Sequence, residues 1–149
     1  MLEQAIAFAV EAHQGQVDAA GEPYILHPLR VMLMVRAFGM DEEEQAAALL
    51  HDVVEDTDVR IADIERHFGP RVDDLVYALT RQEGEDYTAY IDRVIAAGVA
   101  AQTIKKIDLM DNLGRIGPII KLDPAKANRL VAKYRGGLRK LKESRCRAR

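Results

Sequence analysis

The stretch that decides the fold is residues 46–57, AAALLHDVVEDT, where an apolar run typical of a buried helix is followed at once by one histidine and three carboxylates. Residues four apart share a face of an α-helix, so His51 is expected above Glu55, and Asp52 above Asp56. Carboxylates packed this closely repel one another, and burying them unpaired costs free energy. A divalent cation removes that cost because it converts repulsion into coordination. The alternative interpretation is a solvated acidic helix end, and this segment alone leaves both open.

The composition is that of one soluble globular domain. The chain has 149 residues, 48% hydrophobic and 30% charged, enough to bury a core, and we expect a single domain over residues 1–149. The formal net charge of −3 argues against a general nucleic-acid-binding protein. Basic residues collect in the last third, where we interpret them as a solvated helix face and tail rather than a surface that recruits phosphate. They are Lys121, Lys126, Arg129, Lys133, Arg135, Arg139, Lys140, Lys142, Arg145, Arg147 and Arg149.

Cysteine content and hydropathy restrict the kind of site and the compartment. Cys146 is the single cysteine, so an internal disulfide and a zinc–thiolate cluster are both excluded. No stretch approaches the length of apolar residues that spans a membrane. Residues 1–10 carry Glu3 and no basic residue, unlike a signal peptide. We therefore expect a cytoplasmic protein with no membrane partner.

Apolar residues recur with the helical period almost throughout the chain, and glycine and proline fall at the junctions. Asp41 and Glu44 have the spacing of a capping box at the start of the helix that carries the acidic cluster. The predicted helices cover residues 2–14, 28–38, 42–56, 61–68, 70–79, 87–97, 99–116 and 124–141. No stretch alternates convincingly with the period of a strand. The fold class is therefore all-α, a bundle of about seven or eight helices.

Three separate segments offer metal ligands. His27 precedes Pro28, which holds it in an extended conformation. The second segment is the His51–Asp52 pair, and the third places Asp108 and Asn112 on one face of a helix. Two imidazoles and two carboxylates make a mixed nitrogen and oxygen set, which suits Mn²⁺ better than Ca²⁺ and lacks the sulfur ligands common at structural zinc.

The chain resembles the HD-domain hydrolases of the RelA/SpoT alarmone enzymes in their small stand-alone form. The matching segments are AHQGQ (12–16), GEPYILHP (21–28), ALLHDVVEDT (48–57), FGPRV (68–72) with LT (79–80), and Asp108 with Asn112. They occur in the family's order and spacing and cover roughly residues 5 to 115. Each motif alone is weak, and the set together is specific.

The resemblance implies an HD-domain bundle in which His27, His51, Asp52 and Asp108 hold a Mn²⁺ ion. It implies that Glu55 and Asp56 act on the water and the leaving group, and that Asn112 contacts the substrate. The family removes pyrophosphate from the 3′ position of guanosine tetra- or pentaphosphate, giving GDP or GTP. General chemistry supports these roles, because a bound metal lowers the pKa of its water and a nearby carboxylate can move the proton.

The sequence departs from the family's pattern where the nucleotide is held. The family usually carries a basic residue two positions after the GQ pair, often followed by another, whereas this chain has Asp18 and Ala19. An acidic residue removes a favourable contact and repels phosphate, so we expect that Asp18→Arg would improve substrate binding. Asp111 stands where long family members often carry histidine, and the sequence alone indicates no consequence of this difference.

Other polar side chains keep two interpretations each. Lys105 lies three residues before Asp108 and either faces the site to bind phosphate or is solvated. Arg30 stands in the same relation to His27. Tyr90 either lines the substrate cleft or belongs to the core. His13 is interpreted as a packed helix-end residue rather than a catalytic one.

The hypothesis is thus a Mn²⁺-dependent alarmone hydrolase that acts on a small nucleotide as a monomer or homodimer. One alternative is an HD phosphohydrolase on another substrate, such as an adenosine alarmone or other nucleotide phosphate. A second alternative is a nucleotide sensor without activity. The complete set of acidic and imidazole groups counts against the sensor, because a sensor has no chemical need of all of them.

Overall fold

Ten α-helices make up the part of the chain that this computed structural model describes, which is the backbone of residues 1–147 with side chains to residue 144. They are α1 Leu2–Ala12, α2 Leu26–Ala37, α3 Glu42–Leu50, α4 Val53–Asp56, α5 Ile61–Phe68, α6 Pro70–Leu79, α7 Tyr87–Ala96, α8 Val99–Gly114, α9 Gly117–Leu122 and α10 Pro124–Arg147. The all-α prediction is confirmed. The side chains of Arg145, Cys146 and Arg147, and all of Arg149, lie outside the described residues.

The predicted helices are present, except that residues 42–56 form two helices, α3 and α4. The short helix α9 was not predicted. The prediction of one continuous helix through the acidic cluster is wrong, because α3 ends at Leu50 and α4 begins at Val53. The imidazole Nδ1 of His51 lies 2.7 Å from the carbonyl oxygen of Ala48 and donates to it. The His51 side chain thereby takes the carbonyl that a continuing helix would pair with the amide of residue 52. His51 and Asp52 consequently lie in a turn.

Helix α3 lies at the centre of the bundle. Its residues 46–50 are fully buried, and the helix packs against α1, α2 and α6. Helix α8 packs against α2 on one side and α10 on the other, which brings both ligand-bearing helices beside the end of α3. The site therefore lies where the buried central helix stops.

The first turn of α3 is fixed by side chains. The carboxylate of Asp41 accepts from the amide of Glu44, and the Glu44 carboxylate accepts from the amide of Asp41, which confirms the predicted capping box. Arg71, at the start of α6, donates to Asp41, Glu43 and Glu44 at 2.6–3.2 Å. These exposed bonds tie α6 to the start of α3. No helix among the described residues is long and apolar enough to cross a membrane.

Candidate metal centre

Two imidazoles and one carboxylate converge at the end of α3. His27 comes from the first turn of α2, so the extended conformation predicted for it is wrong. His51 comes from the turn after α3, and Asp108 from the middle of α8. Each offers one ligand atom, and these atoms all lie within 4.8 Å of one another. Nε2 of His27 is 3.1 Å from Oδ1 of Asp108, and Nε2 of His51 is 3.6 Å from the same oxygen. All three side chains are buried.

The second ring nitrogen of each imidazole is held by an acceptor. Nδ1 of His51 donates to the Ala48 carbonyl at 2.7 Å, and Nδ1 of His27 faces the carboxylate of Asp111 at 2.7 Å. A proton on Nδ1 leaves the Nε2 lone pair free, which is the tautomer of a metal-ligating histidine. Nε2 of His51 is fully buried and has no hydrogen-bond partner among the residues that the structure describes. A buried nitrogen without a partner fits a metal ligand.

Asp52 lies at the edge of this group. Its Oδ2 is 3.1 Å from Nε2 of His51 and 3.6 Å from Nε2 of His27, and it accepts a 2.6 Å hydrogen bond from the hydroxyl of Tyr24. Asp108 is held more fully, because Asn112 donates to its Oδ1 and Lys105 to its Oδ2, each at 2.7 Å. The sequence prediction that Asp108 and Asn112 share a face is therefore confirmed.

The charges of the cluster are mutually stabilised. Burial raises the pKa of Asp52, but the charge of the nearby His51 outweighs burial and holds that pKa below its usual value. Burial likewise raises the pKa of Asp108, and the ammonium of Lys105 and the two imidazoles bring it well below. In return, the carboxylates raise the pKa of both His27 and His51 against the effect of burial. The centre is therefore electrostatically favourable for a bound cation.

The two predicted catalytic carboxylates lie on α4, beside an open cavity of about 760 Å³ that both of them line. Oε2 of Glu55 accepts from the backbone amide of Arg81 at 2.9 Å, and partial burial raises the pKa of Glu55. Burial and the charge of Asp52 raise the pKa of Asp56. The backbone carbonyl of Asp56 accepts from Gln16 at 2.8 Å, which ties α4 to the loop after α1. Each carboxylate thus follows the His51–Asp52 pair closely along the chain, and burial favours its protonated form.

Of the predicted substrate-binding side chains Lys105 and Tyr90, one faces the centre and the other lies in the core. Lys105 faces the centre through its bond to Asp108, so the solvated alternative is wrong. Tyr90 is 2% exposed, and its hydroxyl donates to the carbonyl of Leu79. Its ring lies 5.0 Å beneath the ammonium of Lys105. The prediction that Tyr90 lines the cleft is therefore corrected: Tyr90 is a core residue that supports Lys105.

Sequence reasoning missed the role of Asp111. Its carboxylate faces Nδ1 of His27 and accepts two hydrogen bonds from Arg30, at 2.8 and 2.9 Å. Arg30 lies one turn after His27, and Asp111 one turn after Asp108, so the spacing was visible while the pairing across the two helices was not. Tyr24, the partner of Asp52, was missed for the same reason.

The carboxylate of Asp18 is engaged by hydrogen bonds within its own loop. Its Oδ1 accepts from the amides of Ala20 and Glu22 at 2.8 and 3.0 Å, and its Oδ2 lies 3.4 Å from Arg115. Arg115 also donates to Glu22 at 2.7 Å. The carboxylate therefore holds the loop that precedes α2. The expectation that Asp18→Arg would improve binding stays a prediction, and this substitution would also break the loop's own hydrogen bonds.

His13 is a packed helix-end residue, as expected. It is 2% exposed at the end of α1, and its Nδ1 lies 2.9 Å from the side-chain oxygen of Gln16. A second cavity, of about 260 Å³, adjoins the centre and is lined by His27, Asn112 and Asp18 among others. One cavity thus adjoins the metal centre at the loop before α2, and the other lies at α4, where the two predicted catalytic carboxylates line it.

Comparison with known proteins places this fold and site in a family. The family model of the HD domain matches residues 5–110 of this sequence, so the chain belongs to the HD domain family. It is 39% identical over 119 residues to the guanosine-3′,5′-bis(diphosphate) 3′-pyrophosphohydrolase of Aquifex aeolicus, covering 75% of this chain and 17% of that protein. It is 35% identical over 137 residues to the bifunctional (p)ppGpp synthase/hydrolase SpoT of Escherichia coli, covering 87% of this chain and 20% of that protein.

A solved structure extends the similarity over nearly the whole chain. It is described as a metazoan ortholog of SpoT that hydrolyses ppGpp and plays a role in starvation responses. It superposes with a TM-score of 0.72 at 28% identity, covering 96% of this chain and 92% of the other. The chain spans about a fifth of the length of the curated bacterial relatives.

Proposed function

We propose that this protein is a Mn²⁺-dependent hydrolase that removes pyrophosphate from the 3′ position of (p)ppGpp-type alarmones, giving GDP or GTP. The observation that carries the proposal is the buried cluster of His27, His51 and Asp108. In this cluster, Nδ1 of each imidazole faces an acceptor, which leaves Nε2 for a metal. The activities for which the bacterial relatives and the metazoan protein are named supply the substrate class. The proposed nucleotide substrate implies a cytoplasmic protein, and we expect a monomer or homodimer.

His27, His51, Asp52 and Asp108 would hold the ion, since two imidazoles and two carboxylates suit a divalent metal of intermediate hardness. A divalent ion held there would supply a water of lowered pKa and would polarise a phosphoryl oxygen. Asp111 would keep the proton on Nδ1 of His27, and the Ala48 carbonyl would do the same for His51.

The two carboxylates of α4 would carry the proton transfers. Water adds to the phosphorus next to the ribose, the bond from phosphorus to the 3′ oxygen breaks, and pyrophosphate leaves. A Glu55 carboxylate would take the proton from the attacking water, and a protonated Asp56 would give one to the 3′ oxygen. Burial raises the pKa of both groups, which brings them closer to the range in which a carboxyl exchanges protons near neutral pH.

The surrounding polar groups would position the substrate. Asn112 donates to Asp108 with one hydrogen of its amide and has its carbonyl left for a substrate hydroxyl. Lys105 keeps donors beyond its bond to Asp108 for a phosphate oxygen.

A hydrolase for another nucleotide is the second candidate, and the loop before α2 favours it. Asp18 and Ala19 stand at usually basic positions, and Arg115, which lines the cavity on this side, is neutralised by Asp18 and Glu22. This side of the centre is therefore poorly suited to a phosphate. A nucleotide sensor is less well supported, because the whole acid and imidazole set is in place.

The test is to incubate the Mn²⁺-loaded protein with a panel of nucleotides and to identify the phosphate products. The proposal expects pyrophosphate together with GDP from guanosine tetraphosphate, at a higher kcat/KM than from any adenosine nucleotide. Faster turnover of an adenosine alarmone would replace the proposed substrate, and no turnover of any nucleotide would favour the sensor.

A further inference from the structure

Two lysines from separate helices contact the Tyr87 and Tyr90 ring pair, and the backbone amide of a third cation, Arg81, donates to the proposed catalytic carboxylate Glu55. Lys105 lies on α8, Arg81 follows α6, and Lys133 lies on α10. The ammonium of Lys133 is 4.8 Å from the centre of the Tyr87 ring. The Tyr87 and Tyr90 rings are 6.0 Å apart, and the ammonium of Lys105 lies 5.0 Å from the Tyr90 ring. A continuous series of contacts thus connects α10 with the metal centre.

These cations are incompletely neutralised. Lys105 pairs with Asp108, but the guanidinium of Arg81 donates to the backbone carbonyl of Glu85, which carries no charge. Lys133 has no carboxylate within 4 Å in the part of the chain that the structure describes. Burial lowers the pKa of Lys133, and the charges of Lys105 and Arg81 lower it further against the opposing effect of Glu55 and Asp108. The positive charges of Lys105 and Arg81 therefore act unfavourably on that of Lys133, and a bound anion would offset this repulsion.

We propose that Lys133 and Arg81, together with Lys105, form a phosphate-binding subsite that holds the diphosphate group of the substrate beside Glu55. This inference rests on the proposed function and locates its phosphate recognition. It assigns a substrate contact to α10, a helix that begins after residue 110, where the match to the HD domain ends. Lysine and arginine are the side chains that bind phosphate in proteins.

The position of the subsite agrees with the distribution of charge around the centre. On the side of the loop before α2, both arginines that line the cavity are paired with carboxylates, Arg115 with Asp18 and Glu22 and Arg30 with Asp111. On the α10 side, Lys133 has no carboxylate within 4 Å among the described residues, and the guanidinium of Arg81 donates to a neutral carbonyl. A substrate with phosphates at one end and a nucleoside at the other would therefore direct its phosphates toward α10. Part of the basic C-terminal third, interpreted from sequence as a solvated face, then belongs to the site.

The test compares Lys133→Gln with Lys142→Gln, which removes the same charge from an exposed position farther along α10. Binding of inorganic pyrophosphate to the metal-loaded protein is measured by titration calorimetry, and the metal content of each variant is determined. We expect Lys133→Gln to weaken pyrophosphate binding by about tenfold or more, as for loss of a charged hydrogen bond, with unchanged metal content. Lys142→Gln should bind as the unsubstituted protein does, and Lys133→Arg should restore most of the affinity.

The kinetic consequence is a rise in KM for the hydrolysed nucleotide in Lys133→Gln, with kcat changed by only a few-fold. Pyrophosphate binding equal to that of the unsubstituted protein would overturn the subsite. An equal loss in Lys142→Gln would also overturn it, because the effect would then be one of overall charge. Pyrophosphate binding requires no turnover, so the two proposals are tested separately. The subsite can be wrong although the protein hydrolyses the nucleotide, and the subsite can be right although it does not.

Discussion

At the scale of single residues, hydrogen bonds to Nδ1 of the two histidines determine which ring nitrogen is left to bind a metal. The Ala48 carbonyl fixes His51, and the Asp111 carboxylate fixes His27, so that both Nε2 atoms face Asp108. The four ligand candidates were predictable because each lies in a recognisable local pattern. Asp111 and Tyr24 were not, because their contacts join residues 84 and 28 positions apart, and no local pattern reports such distances.

Asp111→Asn should weaken metal binding while leaving the fold intact. An amide retains the shape but loses the charge that holds the proton on Nδ1 of His27. Replacing such a partner typically costs about 10–100-fold in metal affinity or activity. Competition with a chelator measures the affinity, and Asp74→Asn, an exposed position on α6, is the control. Equal affinities in the two variants would show that Asp111 does not orient His27.

Glu55→Gln and Asp56→Asn should retain the metal and lose turnover. Both residues lie beyond the ligand group on α4, and a general acid or base typically contributes about 10²–10⁴-fold to the rate. Metal content and kcat measured on the same preparations separate the two roles. Turnover within a few-fold of the unsubstituted protein would remove that residue from the mechanism.

Asp18→Arg should destabilise the protein. The substitution removes the acceptor of two loop amides, and each unsatisfied group costs about 1–3 kcal/mol when buried and less when exposed. Asp18→Asn keeps an acceptor oxygen and should be milder. Urea denaturation of both variants measures the free energy of unfolding. A fully stable Asp18→Arg variant with a lowered KM would instead restore the phosphate-contact interpretation.

At the scale of elements, the break between α3 and α4 is the feature that periodicity does not predict. The apolar and acidic residues of 46–56 fit one helix, whereas the structure has a break at His51 and Asp52, where the His51 side chain donates to the Ala48 carbonyl. Glu55 and Asp56 therefore lie on a separate short helix after the ligand pair. The predicted helices, by contrast, follow from apolar spacing and from glycine and proline at their ends.

The packing of α10 against α7 and α8 depends on Gly137, which lies one turn after Lys133. A Cβ at Gly137 would lie 2.8 Å from the Tyr87 hydroxyl and 3.0 Å from Cδ1 of Leu109, whereas one at Gly136 would meet nothing within 4 Å. Gly136→Ala should therefore stabilise the helix by up to about 1 kcal/mol. Gly137→Ala should destabilise by about 1–3 kcal/mol through overpacking and raise KM by displacing Lys133. Thermal unfolding measures both, and equal effects would contradict this packing.

At the scale of the whole molecule, sequence patterns predicted the all-α class and which segments would meet at the site. They did not predict how the last third of the chain would be used, because charge runs look the same whether solvated or facing a cleft. The structure brings α10 to the side of the centre that carries Lys105. The family relationship supports the common core over residues 5–110, and α10 completes the site from outside that match.

The measurement that tests the central claim most directly is metal content and turnover of His51→Ala beside the unsubstituted protein. His51 is fully buried, and its Nε2 faces the other ligand candidates without a hydrogen bond. The unsubstituted protein should bind close to one equivalent of Mn²⁺ and lose its nucleotide hydrolysis when a chelator is added. His51→Ala should lose both metal and hydrolysis. Full metal content and activity in His51→Ala would contradict the assignment of this cluster as the metal centre of a hydrolase.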